Sequence, residues 1–244
     1  MRRQSFAARV WAKLLAHERR EGLLARGQSV LAAVSGGADS VCLAHYLAQR
    51  ARILNLEVSL LHVHHGLRGR SADGDAAFVV KLGERLGLPV TVVRVDAKAR
   101  ARTRGKGLED AGRELRYAAL TREARRLGCA AVATGHQLDD QAETVLLNLL
   151  RGTRLSALAA IPPKRPLTAA IALIRPLLPL SRAEISLYLE RHDLPHREDR
   201  TNRCEDFTRN WLRAQVIPLL ARRQPRLREH LAGIAAQARA LTQA

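Results

Sequence analysis

The sequence predicts an α/β fold: a doubly wound parallel sheet with helices on both faces and a short helical C-terminal extension. Three observations predict it. From residue 28 onward, short runs recur that are apolar throughout rather than alternating, as strands buried on both faces require. Each run is followed by an amphipathic stretch of helical length, the β-α-β-α order of a parallel sheet. Finally, 47% of the 244 residues are apolar, enough for a packed core and too many for a disordered basic chain.

The elements follow in order. Residues 1–16 hold Arg2, Arg3, Arg9 and Lys13 with no acid before Glu18, a balance shared by organelle-targeting peptides. Phe6, Val10, Trp11, Leu14 and Leu15 nevertheless fall on one face at helical spacing, and no signal-like apolar core follows, so a first helix is expected. Val30–Val34 reads as a buried strand leading through Ser35-Gly36-Gly37-Ala38-Asp39-Ser40 into a helix reaching about Gln49. Val58–Val63 is the second strand and Asp73–Leu86 a helix with Ala76, Phe78, Val79, Leu82 and Leu86 along one side. Gly87 and Pro89 punctuate the chain before a third strand, Val90–Val95. Lys98, Arg100, Arg102, Arg104 and Lys106 stand at every second position. Extended, all five would share a face, and Gly105 and Gly107 favour a loop. Leu108–Leu127 is a long helix, Ala130–Thr134 the fourth strand, and Asp139–Leu150 a helix stopped by Gly152. Pro162, Pro163 and Pro166 then mark a loop, and Ile171–Ile174 is expected as an edge strand. Ser181 and Glu184 form a capping box for a helix to Arg191. Residues 193–208 are polar and irregular; Asn210–Leu220 and Pro225–Ala240 look helical. The division expected is an N-terminal helix (1–27), a main domain (28–220) and a helical tail (221–244).

Lysine and arginine outnumber aspartate and glutamate 41 to 23, a net charge of +18. Such a surface attracts polyanions. Aromatics are 3% of residues, which argues against RNA held by stacked bases and for contacts through phosphates. Cys42, Cys129 and Cys204 form no C-x-x-C pair, so neither a zinc ribbon nor a local redox motif is expected, and free thiols suit a reducing cytoplasm. The longest apolar candidate for a bilayer span, 167–180, is broken by Arg175, Pro176 and Pro179, so no membrane partner is expected.

Three polar clusters lie at strand ends, where open α/β sheets bind ligands. In the first, the glycines of the Ser35–Ser40 turn let backbone N–H groups point inward at a helix N-terminus, a cradle for phosphate. The turn matches neither G-x-x-x-x-G-K-[ST] nor G-x-G-x-x-G. Asp39 would repel phosphate unless it meets a cation, either Mg²⁺ or a positively charged substrate; it also suits a helix N-terminus. The second cluster is His62-Val63-His64-His65-Gly66-Leu67-Arg68-Gly69-Arg70. The third is Thr134-Gly135-His136 with Asp139, Asp140 and Glu143. Asp140 and Glu143 share a helix face, a repulsion relieved by a cation between them. The histidines show no metal-ligand spacing and are read as structural or nucleotide-contacting.

The Ser35–Ser40 string resembles the pyrophosphatase loop of the ATP-pyrophosphatase (PP-loop) superfamily. Four stretches resemble the tRNA(Ile)-lysidine synthetases within it. These are Ser35–Ser40, His62–Asp75, Gly135–Thr153, and Arg175–Leu178 with Arg209-Asn210-Trp211-Leu212-Arg213 and Ile217-Pro218. Leu108–Tyr117 is similar to the family's A-R-x-x-R-Y segment. The likeness covers roughly 28–220 and implies an adenine-nucleotide alpha-hydrolase-like, Rossmann-like fold. It implies ATP and Mg²⁺ as cofactors and, as partners, free L-lysine and the isoleucine tRNA with a CAU anticodon. The wobble cytidine O2 would attack the α-phosphate of ATP, releasing pyrophosphate, and the lysine ε-amine would then displace AMP. The resemblance puts the Ser35–Ser40 turn, Ala38 and Asp39 included, on ATP, with His62, Arg113, Gly135 and His136 near the nucleotide. It puts Asp39, Asp140 and Glu143 around the lysine ammonium as the catalytic set. Arg68, Arg70, Arg100, Arg102, Arg104, Arg209 and Arg213 are candidate tRNA contacts, and Asp39 is the one candidate for Mg²⁺. A homodimer and a cytoplasmic location fit the same likeness.

Two departures stand out. Gly112 replaces a usual alanine inside a helix, at a cost of about 1 kcal/mol, and members usually continue into C-terminal domains beyond the equivalent of Ala244. Other readings are a tRNA thiolase, an amide-forming synthetase, or a non-catalytic basic RNA-binding module. Thiolases of this type usually carry paired cysteines, and amide-forming relatives act on small carboxylates with no need of +18. The intact Ser35–Ser40, Asp140 and Glu143 count against the last.

Overall fold

The computed structural model describes residues 6–64, 70–104, 107–152, 154–197 and 207–243. Six strands, β1 (Ser29–Ala33), β2 (Glu57–His64), β3 (Val90–Arg94), β4 (Ala131–Ala133), β5 (Lys164–Pro166) and β6 (Ala172–Ile174), form one sheet in the order β3-β2-β1-β4-β6-β5. All pairings are parallel except that of β5 with β6. From β1 the chain winds outward through β2 to β3, then crosses back to lay β4 against the other side of β1. The crevice where the winding reverses therefore opens between the loops that follow β1 and β4.

Strand register divides the core into two layers. Val30, Ala32, Leu60, Ala131, Ala133 and Ile174 face one side. There they pack on α1 (Phe6–Glu21), α2 (Ala38–Leu54), α3 (Arg70–Leu86) and α7 (Arg182–Arg191). Leu31, Leu61, Val132 and Leu173 face the other, against Leu120 and Ala124 of α5 (Leu108–Arg126). The two-residue period of each strand thus feeds both layers, which is why these runs are apolar throughout. A third, smaller cluster joins α6 (Leu138–Leu150), α9 (Ile217–Arg223) and α10 (Leu227–Gln243) through Ala142, Val145, Ile217, Leu231 and Ala235. Among the described residues no helix is long and apolar enough to cross a membrane.

From Phe6 onward the basic N-terminal segment is a helix packed into the core. Val10 and Leu14 of α1 are buried, and Glu18 is buried with them. Glu18 accepts hydrogen bonds from Arg50 Nε (2.8 Å) and Nη2 (2.7 Å) and from the Tyr46 hydroxyl. The expected capping box of α7 is present, with Ser181 Oγ accepting from Glu184 N at 3.2 Å.

Two sequence expectations are corrected. The basic run after β3 is a helix, α4 (Ala97–Arg104), not a loop up to Arg104. Asp96 Oδ1 accepts from Ala99 N at 2.9 Å to start it, and Ala, Lys and Arg are strong helix formers. Helical winding spreads the alternate arginines around α4 instead of aligning them; Lys106 lies outside the described residues. Ile171–Ile174 is not an edge strand. The edge is β5, whose Lys-Arg-Pro sequence carries no strand signal and which only β6 recruits. The helix expected over Asn210–Leu220 is present within an unbroken helical run made of α8 (Phe207–Trp211), a π-helical turn (Leu212–Val216) and α9, with Pro218 in the first turn of α9.

Candidate active site

Gly36 has φ +96°, and a Cβ there would lie 3.2 Å from the Phe78 ring on α3. Glycine is therefore required both by the backbone and by the close packing of the turn. Ser40, in the first turn of α2, accepts from the N–H groups of Ser35 (3.2 Å) and Gly36 (3.1 Å) and donates to the Gly37 carbonyl at 2.9 Å. The α2 N-cap, Gly37, has no side-chain cap. The result is a tight turn with inward N–H donors at a helix N-terminus, the geometry that binds anionic oxygen.

Across the crevice, a Cβ on Gly135 would lie 3.2 Å from the backbone carbonyl carbon and oxygen of Asp39. The absence of a side chain there lets the loop after β4 lie directly on the first turn of α2. That contact joins the first and third sequence clusters. α6 then begins with a capping box that the sequence did not disclose. Gln137 Oε1 accepts from Asp139 N (2.7 Å), and Asp140 Oδ2 accepts from Gln137 N (3.0 Å). Part of Asp140 is therefore spent on starting its own helix.

One turn further, Glu143 is 1% exposed. Arg213 grips it bidentately, Nε at 2.6 Å and Nη2 at 2.9 Å, and Arg209 Nε adds a third contact at 3.0 Å. The same two guanidiniums stand 3.8 and 3.9 Å from Asp140 Oδ1. Asp139 lies outside this pair: it accepts from Arg182 N at 2.9 Å and from Arg228 Nε, tying α6 to α7 and α10.

The carboxylates are unequally neutralised. Burial, then the charge of Asp140, pushes Asp39 up from 3.8 to about 6. Asp140 is likewise raised, chiefly by burial and against the stabilising Gln137 N–H. Asp39 and Asp140 are the acids still short of a counter-charge. Among the described residues no group of three or more His, Cys, Asp or Glu is placed to hold a metal ion. Mg²⁺, however, takes one or two carboxylates with substrate phosphates, and Asp39 beside the phosphate-type turn suits that mode.

The singled-out histidines are dispersed. His62 Nδ1 donates to the Val34 carbonyl at 2.9 Å, pinning β2 to the start of the turn. His64 Nε2 lies 3.3 Å from Asp73, which also pairs with Arg94 at 2.9 Å. His136 Nδ1 lies 3.0 Å from Thr134 Oγ1. Burial, followed by the charges of Arg175 and Arg113, pushes His136 down to about 3, so it is neutral near pH 7. Arg113 lies against the Tyr117 ring, 5.3 Å from its centroid. Arg100 is 3.5 Å from Glu114, and Arg102 is exposed on α4. Arg68 lies outside the described residues, as do the side chains of Arg70 and Arg104. Beyond the predicted set, the fold brings Gln137, Arg165, Arg175 and Tyr117 to the crevice. Of these, Gln137, Arg175 and Tyr117 stand in motif stretches, whereas nothing in the sequence marks Arg165.

Comparison with known proteins adds three findings. A family profile described as a PP-loop domain matches residues 7–220. The tRNA(Ile)-lysidine synthase of Symbiobacterium thermophilum is 45% identical over 204 residues, spanning 84% of this chain and 42% of that protein. That of Dehalococcoides mccartyi is 41% identical over 215 residues, 86% of this chain and 46% of the relative. The chain thus spans less than half the length of these two curated relatives. Among solved structures, the U34-tRNA thiolase NcsA from Methanococcus maripaludis superposes with a TM-score of 0.77 at 21% identity. The superposition covers 96% of this chain and 80% of that one, a likeness of fold.

Proposed function

Because the chain belongs to the PP-loop family of ATP-using proteins, we propose that it carries out the reaction named by its relatives, joining free L-lysine to the wobble cytidine of a CAU-anticodon isoleucine tRNA. The observation that carries this reading is the seating of Gly135 on Asp39. It brings a phosphate-type turn and a group of acids to one crevice, as a reaction joining an ATP-activated base to a cationic amine requires. The turn of Ser35, Gly36, Gly37, Ala38 and Ser40 holds the β- and γ-phosphates through backbone N–H groups, with His62, Arg113, Gly135 and His136 around the rest of the nucleotide. The cytidine O2 attacks the α-phosphorus, and the bond to the β-phosphate oxygen breaks, releasing pyrophosphate. The lysine ε-amine then attacks C2, and the C2–O bond breaks with that oxygen leaving on AMP.

Lysine arrives as an ammonium and must lose a proton to act as a nucleophile. Asp39 and Asp140 are the acids best suited to hold it, because their ionised forms lack a full counter-charge. Glu143 already faces two guanidiniums and contributes to the pocket mainly through Arg209 and Arg213. A carboxylate with a pKa near 6 is also a better proton acceptor than one near 4. Mg²⁺ bound by Asp39 with phosphate oxygens would supply charge neutralisation of the leaving pyrophosphate. The remaining arginines, Arg68, Arg70, Arg100, Arg102 and Arg104, meet the tRNA backbone.

Incubation with ATP, Mg²⁺, radiolabelled lysine and the tRNA is expected to yield AMP, pyrophosphate and labelled tRNA. AMP and pyrophosphate formed without lysine incorporation would instead favour another PP-loop activity. Nothing in the described structure favours the thiolase among these, since Cys42 and Cys129 are buried and their thiols are pushed up by burial.

A further inference from the structure

Beside the crevice, on the β6 side, lies a group of guanidiniums without acids. Arg113 from α5 and Arg165 from β5 both approach the Tyr117 ring, 5.3 and 5.6 Å from its centroid. Arg175, immediately after β6, is 3% exposed; its guanidinium faces the Tyr117 hydroxyl and donates to the Pro162 carbonyl at 2.5 Å. Its buried Nε has no acceptor among the described residues. None of Arg113, Arg165 and Arg175 is paired with a carboxylate among the described residues, in contrast to Arg209 and Arg213. A buried, unpaired guanidinium beside two others is costly. The group is carried by the β5–β6 hairpin, which lies beyond β4 from β1, and by α5, which covers one face of β1, β2 and β4. Since β6 lies two strands from β1, its end is about 10 Å from the Ser35–Ser40 turn at ordinary strand spacing. It stays beside the nucleotide group, because Arg175 and Arg113 are the charges that most depress His136.

We infer that Arg165, held against the same Tyr117 ring as Arg113 and backed by Arg175, adds a further phosphate contact beside the nucleotide group. Planar guanidiniums presenting several donors suit phosphate oxygens, and a phenol ring between them keeps both in place at small entropic cost. Arg165 is the contact residue that this assigns anew; Arg175 is a positioning residue. The phosphate can come from the RNA backbone next to the reacting base or from the nucleotide. The inference deepens the reading proposed above and rests on it for a phosphate-bearing substrate. It does not depend on lysine being the nucleophile.

The test is binding, not turnover, with the whole chain. The tRNA is titrated at a series of salt concentrations, and a non-hydrolysable ATP analogue is titrated separately. For an RNA phosphate, Arg165→Gln lowers the slope of log K against log salt by about one unit, Arg165→Lys restores most of it, and analogue affinity is unchanged. For a nucleotide phosphate, analogue affinity falls about tenfold and the RNA slope stays. If neither changes in a folded Arg165→Gln protein, the site is overturned. Phenylglyoxal modification of the unmutated chain, mapped by peptide mass spectrometry, tests it without a variant. Arg165 is expected to be protected by tRNA or by the analogue, while exposed Arg19 on α1 stays reactive. Protection by neither overturns the inference. Failure of the lysine reading would appear only in the incorporation assay and leave these binding results standing.

Discussion

Asp39 illustrates how a single side chain can serve the site at the expense of the fold. Its pKa near 6 lies above the ordinary 3.8, so between those values the folded chain holds a proton that the unfolded chain lacks. Its contribution to stability therefore falls as pH rises through that window, and above pH 6 the charged form is kept at a cost. Asp39→Asn is expected to raise the thermal stability of the ligand-free protein at pH 8 by on the order of 1–2 kcal/mol after allowing for solvent screening, with the gain shrinking by pH 4. Lysine incorporation should drop in the same variant. A variant that is less stable than the parent at pH 8 would contradict the assignment of an unneutralised carboxylate. Glu143 is the opposite case, buried and doubly paired. Glu143→Gln leaves Arg209 and Arg213 without their acid and is expected to cost about 3 kcal/mol in urea unfolding. Loss of activity in that variant must therefore be read against its stability. A cost below 1 kcal/mol would mean that the two arginines find other partners.

At the scale of elements, the helix N-termini do much of the positioning. The start of α2 holds the turn, and the Gln137–Asp140 capping box starts α6 against it. The α1 helix is locked by a buried acid. Glu18 satisfies Arg50 through two hydrogen bonds and Tyr46 through a third, so Glu18→Gln should destabilise the whole domain by about 3 kcal/mol in a single cooperative transition. An α1 that melts separately, seen as a pre-transition by circular dichroism, would show instead that it is an appendage. Both helix-start devices differ in how far the sequence revealed them. Ser181 and Glu184 follow the familiar S-x-x-E spacing and were legible. Gln137 is an uncommon cap and was not. The helix of the Lys98–Arg104 run was hidden because two-residue alternation imitates an extended face, while the Asp96 side chain that starts the helix carries no periodic signal.

Across the whole molecule, the +18 charge is organised by what neutralises it. Arg209, Arg213 and Arg228 are absorbed by the acids of α6, whereas Arg113, Arg165 and Arg175 are left for a ligand. The same separation governs acid stability. Burial pushes His45 down to about 4 and His136 to about 3, and it lowers His17, His62 and His192 as well. All five take up protons less readily when folded than when unfolded, where they titrate near 6.5. Their stabilisation is therefore complete above that pH and is lost as pH falls toward 4. The melting temperature should drop between pH 6.5 and 4.5, outweighing the opposing carboxylates Asp39 and Asp140; a flat profile there would contradict buried histidines that resist protonation. The alternation of strands and helices apart from α4 and β5, the Ser35–Ser40 turn and the family likeness were determined by the sequence alone. Hydrophobic period and a turn closed by hydrogen bonds within five or six residues are local properties, written in consecutive positions. Which cation meets which acid was decided only in the tertiary structure. Glu143 finds Arg209 and Arg213 across 66 and 70 residues, and Asp139 finds Arg228 across 89. An ion pair has no period, and with so many arginines any of them could have served until the folded backbone brought particular ones within reach.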